Sequence, residues 1–134
     1  MIAERVAVVD AAGERAALDW LELSDAGRVR ETWSASSAFM RRTISERAWA
    51  LEYACVRGEL GAVVSRVLDG TRVTRRMIGA PDGEYVVFRF HTVFAAQGRE
   101  VIEKVTVMRD DDGHWRAAGY YVPAPWAPPR GRRS

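Results

Sequence analysis

The sequence predicts an α+β domain, with N-terminal helices packed on a curved four-stranded antiparallel sheet. Three observations carry this. Apolar residues recur at helical spacing as far as Gly61, they alternate with polar residues from Val63 onward, and three turn signals divide the alternating half into strands. Residues 1–122 fit a single domain, with helices over about 12–60 and the sheet over about 62–122. Residues 123–134, "PAPWAPPRGRRS", read as a Pro/Arg-rich flexible tail, because their four prolines lack the amide a central strand needs.

The first helix is expected over 12–23, with Ala17, Trp20, Leu21 and Ser24 along one face. "SDAG" at 24–27 ends it or caps the next segment. A second helix carries Val29, Trp33, Ser36 or Ser37, and Met40 at helical spacing. The third has the clearest signals. Ser45 is a good N-cap, Ile44 and Trp49 can form a hydrophobic staple across it, and Gly61 is a natural stop. Between them Trp49, Tyr53, Val56 and Leu60 form one stripe, which is expected to be core rather than a ligand box.

"AVVSRVL" opens the first strand, which runs toward Met77 through a bulge at Asp69-Gly70 or turns there in a short hairpin. "APDG", "AAQG" and "DDDG" then separate "EYVVFRFHTVF", "REVIEKVTVMR" and "HWRAAGYYV". In the second strand Val86, Phe88, Phe90 and Phe94 share the face expected to meet the helices, opposite Arg89 and His91. In the third, Val101, Val105 and Val107 share a face with Glu103. In the fourth, strict alternation puts Trp115, Ala117, Gly119 and Tyr121 inside and Tyr120 outside.

Glu103 breaks the pattern, since a carboxylate on an inward valine face is costly unless donors compensate. Arg66, between Val64 and Leu68, is its natural partner. The two form a structural pair, or Glu103 lies at the sheet's open end, or they form the polar floor of a pocket between sheet and helices. The candidate pocket is Arg66, Glu103, Tyr121, Phe88, Phe90 and Trp115, and a small apolar ligand would occupy it if the interior holds a cavity. The outer sheet face carries Val87, Arg89, His91, Ile102 and Tyr120, with Val93, Met108 and Val122 nearby. That mixture suits a homodimer interface.

Composition narrows the functional classes. The formal net charge is +2, but residues 123–134 hold three arginines and no acid, which leaves about −1 for residues 1–122. A basic tail on a near-neutral body does not suggest nucleic-acid binding. The single Cys55 offers neither an internal disulfide nor a metal spacing, and no cofactor motif is present. No apolar run suggests a membrane span. Glu4, Arg5 and Asp10 break any secretory leader, so a cytoplasmic protein is expected. The tail has a PxxP spacing at Pro125 to Pro128, which suits a polyproline ligand or an unbound segment.

The runs "WLELSDAGRVRETWSASSAF", "LGAVVSRVL", "APDGEYVVFRFHTVF", "EKVTV" and "DGHWRAAGYYV", in this order, resemble a bacterial family catalogued as domain of unknown function 4019, from about Ala16 to Val122. The resemblance implies a layout similar to the nuclear transport factor two-like, or cystatin-like, group. That group includes ketosteroid isomerases, epoxide hydrolases and non-catalytic binding domains, so fold does not select the function. Members are often exported, and the tail lies outside the resemblance.

Two functions follow as expectations. One is a non-catalytic binding, protein-interaction or dimerisation domain. The other is a small-molecule enzyme of the ketosteroid-isomerase or epoxide-hydrolase type using an interior pocket. The first is favoured, because His91 faces away from the phenylalanines, His114 lies in a turn and no paired inward carboxylate is present.

Overall fold

The computed structural model describes residues 2–123, and the side chains of residues 11–123. The PxxP spacing and the rest of the tail after Pro123 lie outside the described residues. Four helices, α1 (Ile2–Asp25), α2 (Val29–Ser34), α3 (Ala38–Thr43) and α4 (Glu46–Leu60), precede four strands. These are β1 (Val63–Thr74), β2 (Tyr85–Phe94), β3 (Glu100–Arg109) and β4 (Trp115–Tyr121). The strands form one open antiparallel sheet in the order β1-β2-β3-β4.

The capping signals behave as their chemistry requires. The Ser45 hydroxyl accepts the Ala48 amide at 3.1 Å, Glu46 places an acid in the first turn, and Gly61 ends α4 at φ 82°. Trp49, Tyr53 and Leu60 are buried along the α4 stripe, and Val56 packs beside them.

Two helices depart from expectation. The first begins at Ile2 rather than near residue 12. The expected second helix divides, because Ser36 and Ser37 leave the helical path and lie on the edge of β4. There Ser36 bridges Ala117, and the Ser37 amide donates to the Ala117 carbonyl at 2.7 Å. The Ser37 hydroxyl then caps α3 by accepting the Met40 amide at 3.2 Å. The β4 edge pairs the serine backbone and the Ser37 hydroxyl caps the next helix, and together these outweigh helical spacing.

In β1 the strand continues through an irregularity between Leu68 and Gly70, so the bulge forms and the hairpin does not. The strand ends at Thr74, short of Met77. A second bulge, in β4, inverts an expectation. Thr106 pairs with Gly119 and Val107 with Ala117, so Ala118 is an extra residue without a partner. Side-chain parity flips across it. Ala117 faces inward before the bulge, and Tyr120 and Val122 face inward after it. Tyr121, expected inside, is 56% exposed on the outer face.

The inward faces of β2 and β3 meet the helices as expected, with Val86, Phe88, Phe90, Phe94, Val105 and Val107 all buried. The helix α1 passes close to the sheet at Gly13. A Cβ built there would lie 3.4 Å from Val107 and 3.5 Å from Phe88. Trp20, Trp49 and Tyr53 fill the space beyond.

Candidate functional site: a buried carboxylate held by four donors

The one chemically conspicuous inward residue is Glu103, which is wholly buried. It pairs with Phe90 across β2 and β3, two pairs along the ladder from Thr92–Val101. Arg66 on β1 pairs with Thr92, so the strands themselves bring the guanidinium toward the carboxylate. Arg66 binds bidentately, Nε donating to Oε1 at 2.7 Å and Nη2 to Oε2 at 3.1 Å. The Thr92 hydroxyl donates to Oε1 at 2.7 Å, and the Tyr120 hydroxyl donates to Oε2 at 2.5 Å. Each oxygen therefore accepts two bonds, which fills the four acceptor positions of an ionised carboxylate.

The network extends outward from Arg66. Its Nη1 and Nη2 donate to Asp25 at 2.7 and 3.0 Å. Arg57 on α4 donates to Asp25 at 3.3 Å and to the Ser24 hydroxyl at 2.8 Å, with its guanidinium 4.9 Å from the Phe94 ring centre. The Tyr53 hydroxyl bonds the Ser24 hydroxyl at 2.9 Å and donates to the Ser24 carbonyl at 2.5 Å. One connected set of bonds thus ties the end of α1 to α4 and to all four strands.

Electrostatics match this arrangement. Burial works against the Arg66 charge, but the bonds to Asp25 and Glu103 outweigh it and hold the guanidinium above its usual range. Burial, and then the neighbouring Glu103 charge, push the Tyr120 hydroxyl well above the ordinary phenol value. Tyr120 is thus kept as a neutral donor. Two arginines against Asp25 and Glu103 make the cluster formally neutral, so it carries no surplus charge to attract an ion.

Of the six expected pocket residues, the structure brings Arg66 and Glu103 into contact and sets Phe90 5.9 Å from the Arg66 guanidinium. Phe88 lies in the core and Trp115 packs partly buried against it. Tyr121 does not join them, and Tyr120 occupies the position assigned to it. Thr92, Asp25, Arg57 and Ser24 join the network without any signal of it in the sequence. Asp25 reads in sequence as a helix-end residue, and only the tertiary fold brings it to Arg66.

On the outer sheet face, Val87, Arg89, His91 and Ile102 lie where alternation puts them. Tyr120 is the exception and faces inward. Val87 and Met108 are already buried within the single chain. His91 joins two strands, with Nε2 2.9 Å from Asp69 and Nδ1 2.9 Å from Glu100, while Arg89 donates to Asp69 at 2.6 Å. Arg89 and His91 therefore both find acids within the single chain.

A separate open cleft of about 860 Å³ lies beside α3 and the turns that flank β2, β3 and β4. Arg41, Arg42, Arg75, Arg109 and Arg116 line it together with Asp82, Glu84, Asp110, Asp111 and Asp112. The two signs cancel, and Arg116 is clamped to Asp110 and Asp112 at 2.9 Å each. Among the described residues no group of three or more His, Cys, Asp or Glu side chains could hold a metal ion, and no helix is long and apolar enough to cross a membrane.

Helices in front of an open four-stranded antiparallel meander, with a buried ion network between them, define an α+β domain. The chain belongs to the family described as Protein of unknown function (DUF4019), whose model matches residues 16–120. That match spans every element named above except the first part of α1 and the last residue of β4. No curated protein and no solved structure matches the chain.

Proposed function

We propose that this chain is a non-catalytic protein-interaction domain that associates with itself. The single observation that carries the reading is the saturation of Glu103. A general base needs a free lone pair facing a substrate, and here both oxygens already hold two donors each. Helices laid on one face of an open meander support placing the domain in the nuclear transport factor two-like group, many of whose members act by binding rather than by catalysis.

Several apolar side chains lie at the surface. Val64, Val67, Leu68 and Val73 are exposed on the single strand β1, and Tyr121 is exposed on the outer face. Apolar side chains gathered on one element suit a protein contact better than an isolated surface position does. Sedimentation of the full chain tests the reading: a species of twice 15.0 kDa is expected at micromolar concentrations. A 15.0 kDa particle at every concentration contradicts it.

A further inference from the structure

The two edges of the sheet are unlike. The β4 edge is met by Ser36 and Ser37, whose backbone bridges Ala117. Among the described residues no segment pairs with the outer edge of the 12-residue strand β1. Bare edges attract other strands, and natural sheets cover, charge or shorten them. This edge carries a bulge between Leu68 and Gly70 and the charged Asp69 and Arg72, yet it keeps Leu68 at 36% and Val73 at 50% exposure.

We infer that β1 pairs antiparallel with β1 of a second copy, about a two-fold axis between Gly70 and Thr71, joining two sheets into one of eight strands. This deepens the self-association reading and rests on it. The register is chosen by the side chains. It sets Leu68 opposite Val73 of the second copy, and both belong to the helix side of the sheet, since they pair with Phe90 and Val86. It also sets Asp69 opposite Arg72. Both belong to the outer side, where Asp69 bonds Arg89 and Arg72 pairs with Val87. Arg72 is exposed and forms no ion pair among the described residues, so the second copy supplies the acid its own chain does not. The β1 bulge falls at the axis, where Gly70 has no side chain to oppose the twist. A two-fold β1–β1 contact uses the β1 edge of both copies, and Ser36 and Ser37 meet the β4 edge at Ala117, so association closes at two copies instead of propagating.

The test uses variants of the full chain. Leu68→Lys puts an ammonium against Val73, and dimer affinity should fall at least about ten-fold in sedimentation, as for a central interface position. Val73→Glu should do the same. The double variant L68K/V73E should regain affinity, because the introduced ammonium of one copy then faces the introduced carboxylate of the other. In a Cys55→Ser background, L68C/V73C should form a covalent dimer on oxidation. Within one strand these positions are too far apart for a disulfide. A dimer that ignores L68K, or gains nothing in the double variant, overturns the edge register while leaving self-association standing. A chain that stays monomeric at about 100 µM, far above the range of a standard interface, overturns both.

Discussion

The Tyr120 hydroxyl donates to the Glu103 carboxylate at 2.5 Å, and the side chain reaches it because Ala118 bulges out of the β3–β4 ladder. Tyr120 also lies against Trp20, ring centres 5.2 Å apart. Its neighbour Tyr121, one residue on, is exposed. Adjacent tyrosines of the same size thus have opposite roles.

Replacing them one at a time should separate those roles. Tyr120→Phe keeps the ring and deletes a bond to a buried charge, and it should cost about 1.5–3 kcal/mol. Tyr121→Phe should stay within about 0.5 kcal/mol of the parent. Urea denaturation midpoints measured in parallel provide the comparison. Equal effects would mean that the bulge does not flip the strand.

Breaking the ion pair should be the most damaging polar change. Glu103→Ala leaves Arg66 buried against the sheet without half its partners, and should cost about 3–5 kcal/mol. Asp25 is partly exposed at the outer end of the network, so Asp25→Ala should cost no more than about 1 kcal/mol. Chemical denaturation gives both numbers, and a harmless Glu103→Ala would place the carboxylate in water.

Stability should carry a histidine component. The bond to Glu100 raises the His91 pKa, burial opposes it, and the charge and bond of Asp69 raise it further. Arg89 and Lys104 also face this part of the sheet from β2 and β3. A group whose folded pKa is raised contributes fully below its unfolded value, near 6.5, and loses that contribution as pH rises through the folded pKa. Melting temperature should therefore fall between mildly acidic and mildly alkaline pH more steeply in the parent than in His91→Gln. Identical slopes would show that His91 does not bridge the two acids in solution.

Gly13 lies where α1 passes close to the sheet. A Cβ there meets Val107 and Phe88 at ordinary contact distance, so Gly13→Ala should be neutral or stabilise by up to about 1 kcal/mol through helix propensity. Gly13→Leu has no such room and should destabilise by about 1–3 kcal/mol. Thermal unfolding of both variants checks the pair, and a tolerated leucine would mean that the helix stands further away.

Much of this is legible in the residues. The Ser45 cap, the Gly61 stop and the phenylalanine face of β2 each follow from local chemistry, and the Arg66–Glu103 pair follows from one carboxylate out of place. The β4 faces do not follow, because parity counting assumes an unbroken ladder and no side chain announces that Ala118 is extra. Gly119 is the only hint, as a place where the backbone bends. The interrupted second helix is hidden for a related reason: Ser36 and Ser37 fit helical spacing, and only the nearby β4 edge offers their backbone a better partner. Asp25 and Arg57 join the network from distant sequence positions, with no local signal of their own.

The central claim, that Glu103 is a structural acceptor saturated by its neighbours, is tested most directly by a double-mutant cycle of Tyr120→Phe and Glu103→Gln. If the two side chains bond in the folded protein, the unfolding free energies should be non-additive, with a coupling of about 0.5–3 kcal/mol. Additive effects would contradict the account, because they would leave the Glu103 carboxylate with an unfilled position and reopen the interior to chemistry.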